Sequence, residues 1–116
     1  MIKKVLELKD TGLEGLEHVK RQISEGKFDE TIPLFADLVQ AFATIEQSLA
    51  NLPDKTISTE MNKAAENVRA GLDHVATAFE NRDRDKVFAV LQFSLVPKYK
   101  QWMEKLDKTL QPYILS

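Results

Sequence analysis

Hydrophobic residues recur along the chain at alternating steps of three and four, the spacing that places side chains on one face of an α-helix. Four such segments are present, at about residues 2–24, 30–51, 59–80 and 84–110. The pattern therefore predicts four helices of similar length. The clearest stripe belongs to the second segment and comprises Phe35, Leu38, Phe42, Ile45, Leu49 and Leu52.

Residues suited to helix ends separate these segments. Gly26 fits the position just after a helix, where φ is positive, and Asp29 is the expected N-cap of the second helix. The Pro-Asp pair at 53–54 should end that helix, because proline cannot continue it. Ser58 and Asp83 are the expected N-caps of the third and fourth helices.

Short turns between helices of similar length favour antiparallel neighbours. We therefore predict an all-α fold, an antiparallel up-down four-helix bundle, formed by a single domain over residues 1–116. Lys9 and Gly12 occupy stripe positions of the first helix without filling them. For this reason we expect the first ten residues to fray or to bend away from the bundle.

The fourth segment contains Pro97, which removes one backbone hydrogen bond and should kink the helix there. Its stripe also takes two consecutive steps of four, at Leu91, Leu95 and Tyr99. This spacing indicates a slip of register close to the proline.

A short sequence recurs in the first and third helices. Residues 15–19 read Gly-Leu-Glu-His-Val, and residues 71–75 read Gly-Leu-Asp-His-Val. The offset of 56 positions suggests a duplicated helical hairpin, with the third turn one residue longer than the first. The alternative is coincidence, because 56 is a multiple of seven and any two helices with a seven-residue repeat match their apolar positions at that offset.

Charge and composition exclude several classes of protein. With 16 basic and 18 acidic side chains the net charge is −2, which does not favour a nucleic-acid partner. The absence of cysteine excludes disulfides and zinc–thiolate sites. No apolar run suggests a signal peptide or a membrane span. We therefore expect a cytoplasmic protein with no membrane association.

Motifs for catalysis are missing from the sequence. It contains no phosphate-binding glycine loop, serine nucleophile elbow or zinc-binding His-Glu-x-x-His helix. His18 and His74 each directly follow an acidic residue, so on a helix the two side chains point about 100° apart. We interpret both histidines as flank or surface residues and predict no enzyme activity, no catalytic or metal-binding residues and no cofactor.

The fourth helix carries more apolar residues than one buried face requires. A second stripe lies beside the first and is formed by Val87, Val90, Phe93 and Val96. One interpretation is a helix buried on two sides. The other is an interface for a homodimer or for an amphipathic partner, which Tyr99, Trp102 and Tyr113 could extend.

Two functional hypotheses follow. The first is a small protein that acts through protein–protein interaction, as an adaptor, an export-type chaperone or a self-associating regulator. The second is a bundle that binds a small apolar ligand or a metal in its core. Phe35, Phe42, Phe79 and Phe88 could line a pocket for such an apolar ligand, but we favour the interpretation that they fill a packed core.

Overall fold

The computed structural model describes residues 2–52 and 57–115, with side chains through residue 112. The helices are α1 (Ile2–Ser24), α2 (Phe28–Ala50), α3 (Thr59–Glu80), α4 (Arg84–Val90) and α5 (Val96–Leu115). A π-helical segment, Leu91–Leu95, joins α4 to α5, so that these three elements form one continuous fourth helix of the bundle. The described residues contain no strand. The predicted all-α four-helix fold is confirmed.

Contacts between helices pair the start of one with the end of another, as an antiparallel bundle requires. Phe28 at the start of α2 lies 5.2 Å from Phe79 at the end of α3, measured between ring centroids. Lys105 in α5 forms an ion pair with Glu60 at the start of α3. Trp102 of α5 is fully buried in the common core. Its ring packs edge-on against the Phe42 ring of α2, with the ring centroids 4.9 Å apart.

Several predicted helix ends are confirmed. Gly26 has φ of 83°, Ser58 Oγ accepts a hydrogen bond from the Met61 amide, and Asp83 Oδ1 accepts one from the Lys86 amide. The helix end predicted at Pro53 and Asp54 lies outside the described residues.

Two predicted helix ends are wrong. Asp29 does not cap α2, because the helix already begins at Phe28. The Asp29 carboxylate instead accepts a hydrogen bond from the Arg82 guanidinium at 2.7 Å. The fourth helix was expected to end near Leu110, but it continues to Leu115 with Pro112 inside it. A proline this close to a helix end removes only one of the last hydrogen bonds.

The N-terminal residues do not bend away from the bundle. Helix α1 is continuous from Ile2, and Lys9 is only 7 % exposed. Its ammonium group donates a hydrogen bond of 2.6 Å to Asp107 of α5. The Tyr99 hydroxyl, also from α5, donates a hydrogen bond of 2.8 Å to the Lys9 carbonyl.

Gly12 makes this approach of Tyr99 possible. A Cβ atom at position 12 would clash with the Tyr99 hydroxyl. The two stripe positions that looked unfilled in the sequence are therefore both occupied: Gly12 admits the Tyr99 ring, and the Lys9 side chain pairs with Asp107. This contact between α1 and α5 is the reason why the prediction of fraying is wrong.

The two interhelical turns that the structure describes in full have the same hydrogen-bond pattern. In the first, the Lys27 amide donates to the Gln22 carbonyl and the Gly26 amide to the Ile23 carbonyl. In the second, the Asp83 amide donates to Ala78 and the Arg82 amide to Phe79. Both are Schellman motifs with a positive φ, at Gly26 and at Arg82, which are 56 positions apart.

The repeated glycines take equivalent partners. A Cβ at Gly15 would clash with Leu38, and a Cβ at Gly71 would lie 2.9 Å from Leu95. Each glycine therefore admits a leucine from the next helix of its own hairpin. A seven-residue repeat explains why apolar positions match at this offset, but it does not explain why glycines match. The equivalent contacts of Gly15 and Gly71 therefore support the duplication hypothesis.

From the sequence, the extra residue of the second hairpin was expected in the third turn. The structure instead places it in the π-helical segment. Each turn has three residues, at 25–27 and 81–83. The buried residues Phe35 and Leu91 are 56 positions apart, whereas the pairs after the segment, such as Phe42 and Tyr99, are 57 apart. The π turn accommodates one additional residue while both halves of the helix still face the core. This is the irregularity predicted near Pro97.

We predict that Gly12→Ala destabilises the fold by about 1–2 kcal/mol, because overpacking outweighs the usual helical preference for alanine. The loss should be smaller in a Tyr99→Phe background, where the clashing oxygen is absent and the nearest ring carbon lies 3.1 Å from the position of the new Cβ. Urea unfolding of the four variants checks this. An equal loss of unfolding free energy in both backgrounds would contradict the close contact between Gly12 and the Tyr99 hydroxyl.

The burial of Tyr99 leads to a prediction of how the free energy of unfolding changes at alkaline pH. Burial, and secondarily the charge of Asp10, raise the pKa of Tyr99 above its ordinary value. A phenol with a raised folded-state pKa contributes stability below its unfolded pKa of about 10 and loses that contribution as the pH rises through the folded-state value. The stability advantage of the wild type over Tyr99→Phe should therefore shrink above about pH 10, as measured by urea unfolding across pH.

Deletion of Phe93 should leave a folded helical bundle. Without it, the buried stripe of the fourth helix returns to alternating steps of four and three, as in α2. We expect circular dichroism to show the helix content of the wild type and cooperative urea unfolding. Deletion of Ala36, which follows Phe35 in the regular α2 as Gln92 follows Leu91, is the control and should be strongly destabilising because it breaks that alternation.

Candidate functional site

The four residues of the predicted second stripe lie in different environments. Val87 and Val96 are buried in the core, so neither is accessible on the surface of the folded chain. Val90 is half-buried. Phe93 is 75 % exposed, against 39 % and 38 % for Ile32 and Val39, the other exposed large hydrophobic residues in the described part of the chain.

Phe93 lies at the centre of the π-helical segment. Ala89 and Pro97, one turn away on either side, are also exposed. The buried residues Leu91 and Leu95 lie on the opposite side of the same helix. Ala89, Phe93 and Pro97 therefore form an outward-facing apolar ridge, with Val90 at its edge.

The aromatic residues that could have extended this surface are not on it. Trp102 and Tyr99 are buried, and their rings pack together with centroids 5.1 Å apart. The side chain of Tyr113 lies outside the described residues. Phe93 is thus the aromatic side chain of the ridge.

The two histidines lie on the surface of the bundle. His18 and His74 are both exposed, on α1 and α3. Within the described ranges, no group of three or more His, Asp or Glu side chains is placed to hold a metal ion.

A cleft of about 340 Å³ opens between the end of α2, the start of α3 and Trp102 of α5. This volume lies at the lower end of the range of ligand pockets. Its lining combines the polar side chains of Glu46 and Asn62 with seven apolar residues: Leu49, Ala50, Leu52, Ile57, Met61, Ala65 and Trp102.

Two of the residues that line this cleft have polar groups whose surroundings the structure describes. The Trp102 indole N–H is buried, and no hydrogen-bond acceptor for it is present among the described residues. The Glu46 carboxylate accepts a hydrogen bond from the Arg69 guanidinium. Burial raises the pKa of Glu46 above its ordinary value, and Arg69 opposes that effect.

The four phenylalanines do not line a common pocket, and three of them fill the core, which is the interpretation favoured from the sequence. Phe35 and Phe79 pack against each other at 5.4 Å, and Phe42 packs against Trp102, so these rings fill the core. Phe88 lines a separate shallow cleft with Ile23 and Arg84. Sequence reasoning did not predict the cleft beside Trp102. The signal that could have indicated it was the presence of the small residues Ala50 and Ala65, which leave space between α2 and α3.

None of the described helices is long and apolar enough to cross a membrane. Residues 1–105 match a family described as a domain of unknown function, DUF8042, and the chain belongs to that family. No curated protein and no solved structure matches the chain.

Proposed function

We propose that this chain is a non-enzymatic, cytoplasmic helical-bundle protein that acts by binding another protein chain through the ridge formed by Ala89, Phe93 and Pro97. The observation that carries the proposal is the exposure of Phe93, at 75 %. A phenylalanine on a soluble surface is costly to leave in water, because its burial contributes about 1.5–3 kcal/mol.

Comparison of the two hairpins supports the proposal. Between Phe35 and Leu38 of α2 lie two exposed residues, Ala36 and Asp37. Between the corresponding Leu91 and Leu95 lie three, Gln92, Phe93 and Ser94. The regular α2 packs well without the third residue, so the bundle does not need Phe93 for its core.

The local backbone supports it as well. Single π-helical turns inside α-helices occur frequently at functional sites. Here the π turn carries Phe93 at its outward side while Leu91 and Leu95 remain buried. An aromatic side chain on a rigid helix, with small neighbours such as Ala89 and Pro97, is suited to enter a pocket on a partner.

Self-association is tested first, by light scattering over a range of concentrations with the wild type and Phe93→Ser. Because Phe93 is exposed, the substitution should change the free energy of unfolding by less than about 0.5 kcal/mol. If the ridge joins two copies, the wild type is a dimer and Phe93→Ser is a monomer.

If the wild type is a monomer, the partner is sought by affinity capture and confirmed with both proteins purified. We then expect Phe93→Ser to weaken that binary complex by at least about tenfold, or about 1.4 kcal/mol. Val39→Ser is the matched control, since Val39 is a partly exposed apolar residue on α2. A monomer whose purified complexes are all insensitive to Phe93→Ser would refute the proposal.

A further inference from the structure

The apolar ridge centred on Phe93 lies in the middle of a stretch of the chain that carries no acidic residue. From residue 86 to residue 103 there is neither aspartate nor glutamate, whereas no other acid-free stretch of the sequence is longer than nine residues. The same stretch contains Lys86, Lys98 and Lys100. Since the whole chain has 16 basic and 18 acidic side chains, the part outside the stretch has five more acidic than basic residues. The ridge is therefore a positive region of an otherwise acidic protein.

The three lysines surround the ridge on the outer surface of the fourth helix. Lys86 and Lys100 are exposed, and each is seven positions from Phe93, which is about 10 Å along a helix axis. Lys98 is half-buried. It lies two helical turns before Lys105, whose ammonium group pairs with α3, so it flanks the ridge on the side of that helix.

The charges of these lysines are not neutralised within the described residues, because none of the three takes part in an ion pair there. On the neighbouring helices, Glu17 and Asp10 of α1 and Glu60 of α3 each pair with a lysine from outside the stretch. Asp85 and Glu104, which bound the stretch, are farther along the helix from the ridge than the lysines are. Clustered charges of one sign attract and orient a partner of the opposite sign.

The lysines disfavour a second copy of this chain as the partner. Two copies that meet symmetrically at Phe93 bring their fourth helices together either antiparallel or parallel. In the antiparallel case, Lys86 of each copy faces Lys100 of the other, since both are seven positions from Phe93. In the parallel case, each lysine faces its own counterpart. Like charges meet around the phenylalanine in both arrangements, which opposes association.

An anionic membrane would also attract lysines, but this surface is small for one. Lipid-binding clusters carry about four to eight Lys or Arg residues, and a helix that lies in the membrane interface buries a whole apolar face. Here three lysines accompany one phenylalanine that is 75 % exposed. The acidic excess of the rest of the chain would be repelled by an anionic surface. The observations therefore favour a protein partner.

We propose that the ridge binds an acidic segment of a different protein, whose apolar side chains cover Phe93 while its carboxylates pair with Lys86, Lys98 and Lys100. This inference rests on the proposed function, because it assigns the chemistry of the partner for the same surface. Burial of the phenylalanine supplies affinity. The pairs between lysine and carboxylate at the rim mainly increase the association rate and select the partner.

The probe for this proposal is a phage-displayed library of random peptides, selected on the full chain and depleted on Phe93→Ser. We expect the recovered peptides to have a net negative charge, with aspartate or glutamate on both sides of apolar residues. A recovered peptide is then synthesised, and its dissociation constant for the purified full chain is measured by fluorescence anisotropy. The affinity should fall as sodium chloride is raised, because salt screens exposed charges.

The role of the lysines is tested with a triple variant, Lys86→Gln, Lys98→Gln and Lys100→Gln. It should bind the peptide about tenfold more weakly than the wild type, because the carboxylates of the peptide lose their partners. Its affinity should also depend less on salt. Circular dichroism checks that the variant keeps the helix content of the wild type.

The matched control is a second triple variant, Lys3→Gln, Lys4→Gln and Lys27→Gln. These three lysines are exposed and belong to the first hairpin. The control therefore loses the same number of positive charges away from the ridge. It should bind the peptide as the wild type does, which separates a local effect of the lysines from an effect of net charge.

The other outcomes overturn the inference in distinguishable ways. If the recovered peptides depend on Phe93 but are not acidic, or if the first triple variant binds as the wild type does, charge does not select the partner, and the proposed function alone survives. Recovery of no Phe93-dependent peptide would refute an acidic segment as the occupant. A dimer of the wild type that Phe93→Ser abolishes would identify a second copy instead. Phe93-dependent binding to vesicles of phosphatidylserine and phosphatidylcholine would assign the surface to a membrane and would contradict the proposed function as well.

Discussion

The bundle depends on the close approach of α5 to α1 at Gly12. Only a residue without a Cβ leaves room there for the Tyr99 hydroxyl, which donates a hydrogen bond to the Lys9 carbonyl. The same approach brings the Lys9 ammonium to Asp107. Since a lysine is rarely buried without a partner, these contacts fix the register between the first and last helices. That register in turn places Trp102 against Phe42 at the centre of the core.

The two hairpins have the same structural framework but differ at the positions that form the candidate functional features. Their turns, their glycine–leucine contacts and most of their buried positions correspond. Among their differences are one inserted residue and one pair of positions: Lys9 and Asp107 form an ion pair, whereas the residues that correspond to them, at offsets of 56 and 57, are Ala65 and Ala50. The insertion gives the outward-facing phenylalanine, and the alanines leave the cleft. Both candidate functional features therefore arise where the internal correspondence is broken.

Sequence periodicity was sufficient to predict the helices, because an apolar stripe is a direct consequence of helix geometry. It could not predict Lys9, since burial of a lysine depends on Asp107, 98 positions away. The slip near Leu91 was visible as two steps of four, but the stripe alone could not show that a π turn absorbs it. Phe93 was correctly singled out, whereas Val87 and Val96 looked similar to it only because a projection of the helix cannot tell which neighbours cover each side. The cleft depends on residues from three helices, and no local pattern encodes such a place.

The turn at Arg82 has a consequence for how the two hairpins depend on each other. An arginine with φ of 54° carries a steric cost of about 1–2 kcal/mol that a glycine such as Gly26 avoids. Its guanidinium lies 5.4 Å from the centre of the Phe28 ring and donates to Asp29, both in the other hairpin. The cation–π contact contributes about 0.5–1 kcal/mol at an exposed site and the exposed ion pair about 0–1 kcal/mol, so they offset part of the strain, and only while the hairpins are docked. The second hairpin on its own would keep the strained backbone without these contacts. The turn therefore couples the stability of the two hairpins and favours their unfolding as one cooperative unit.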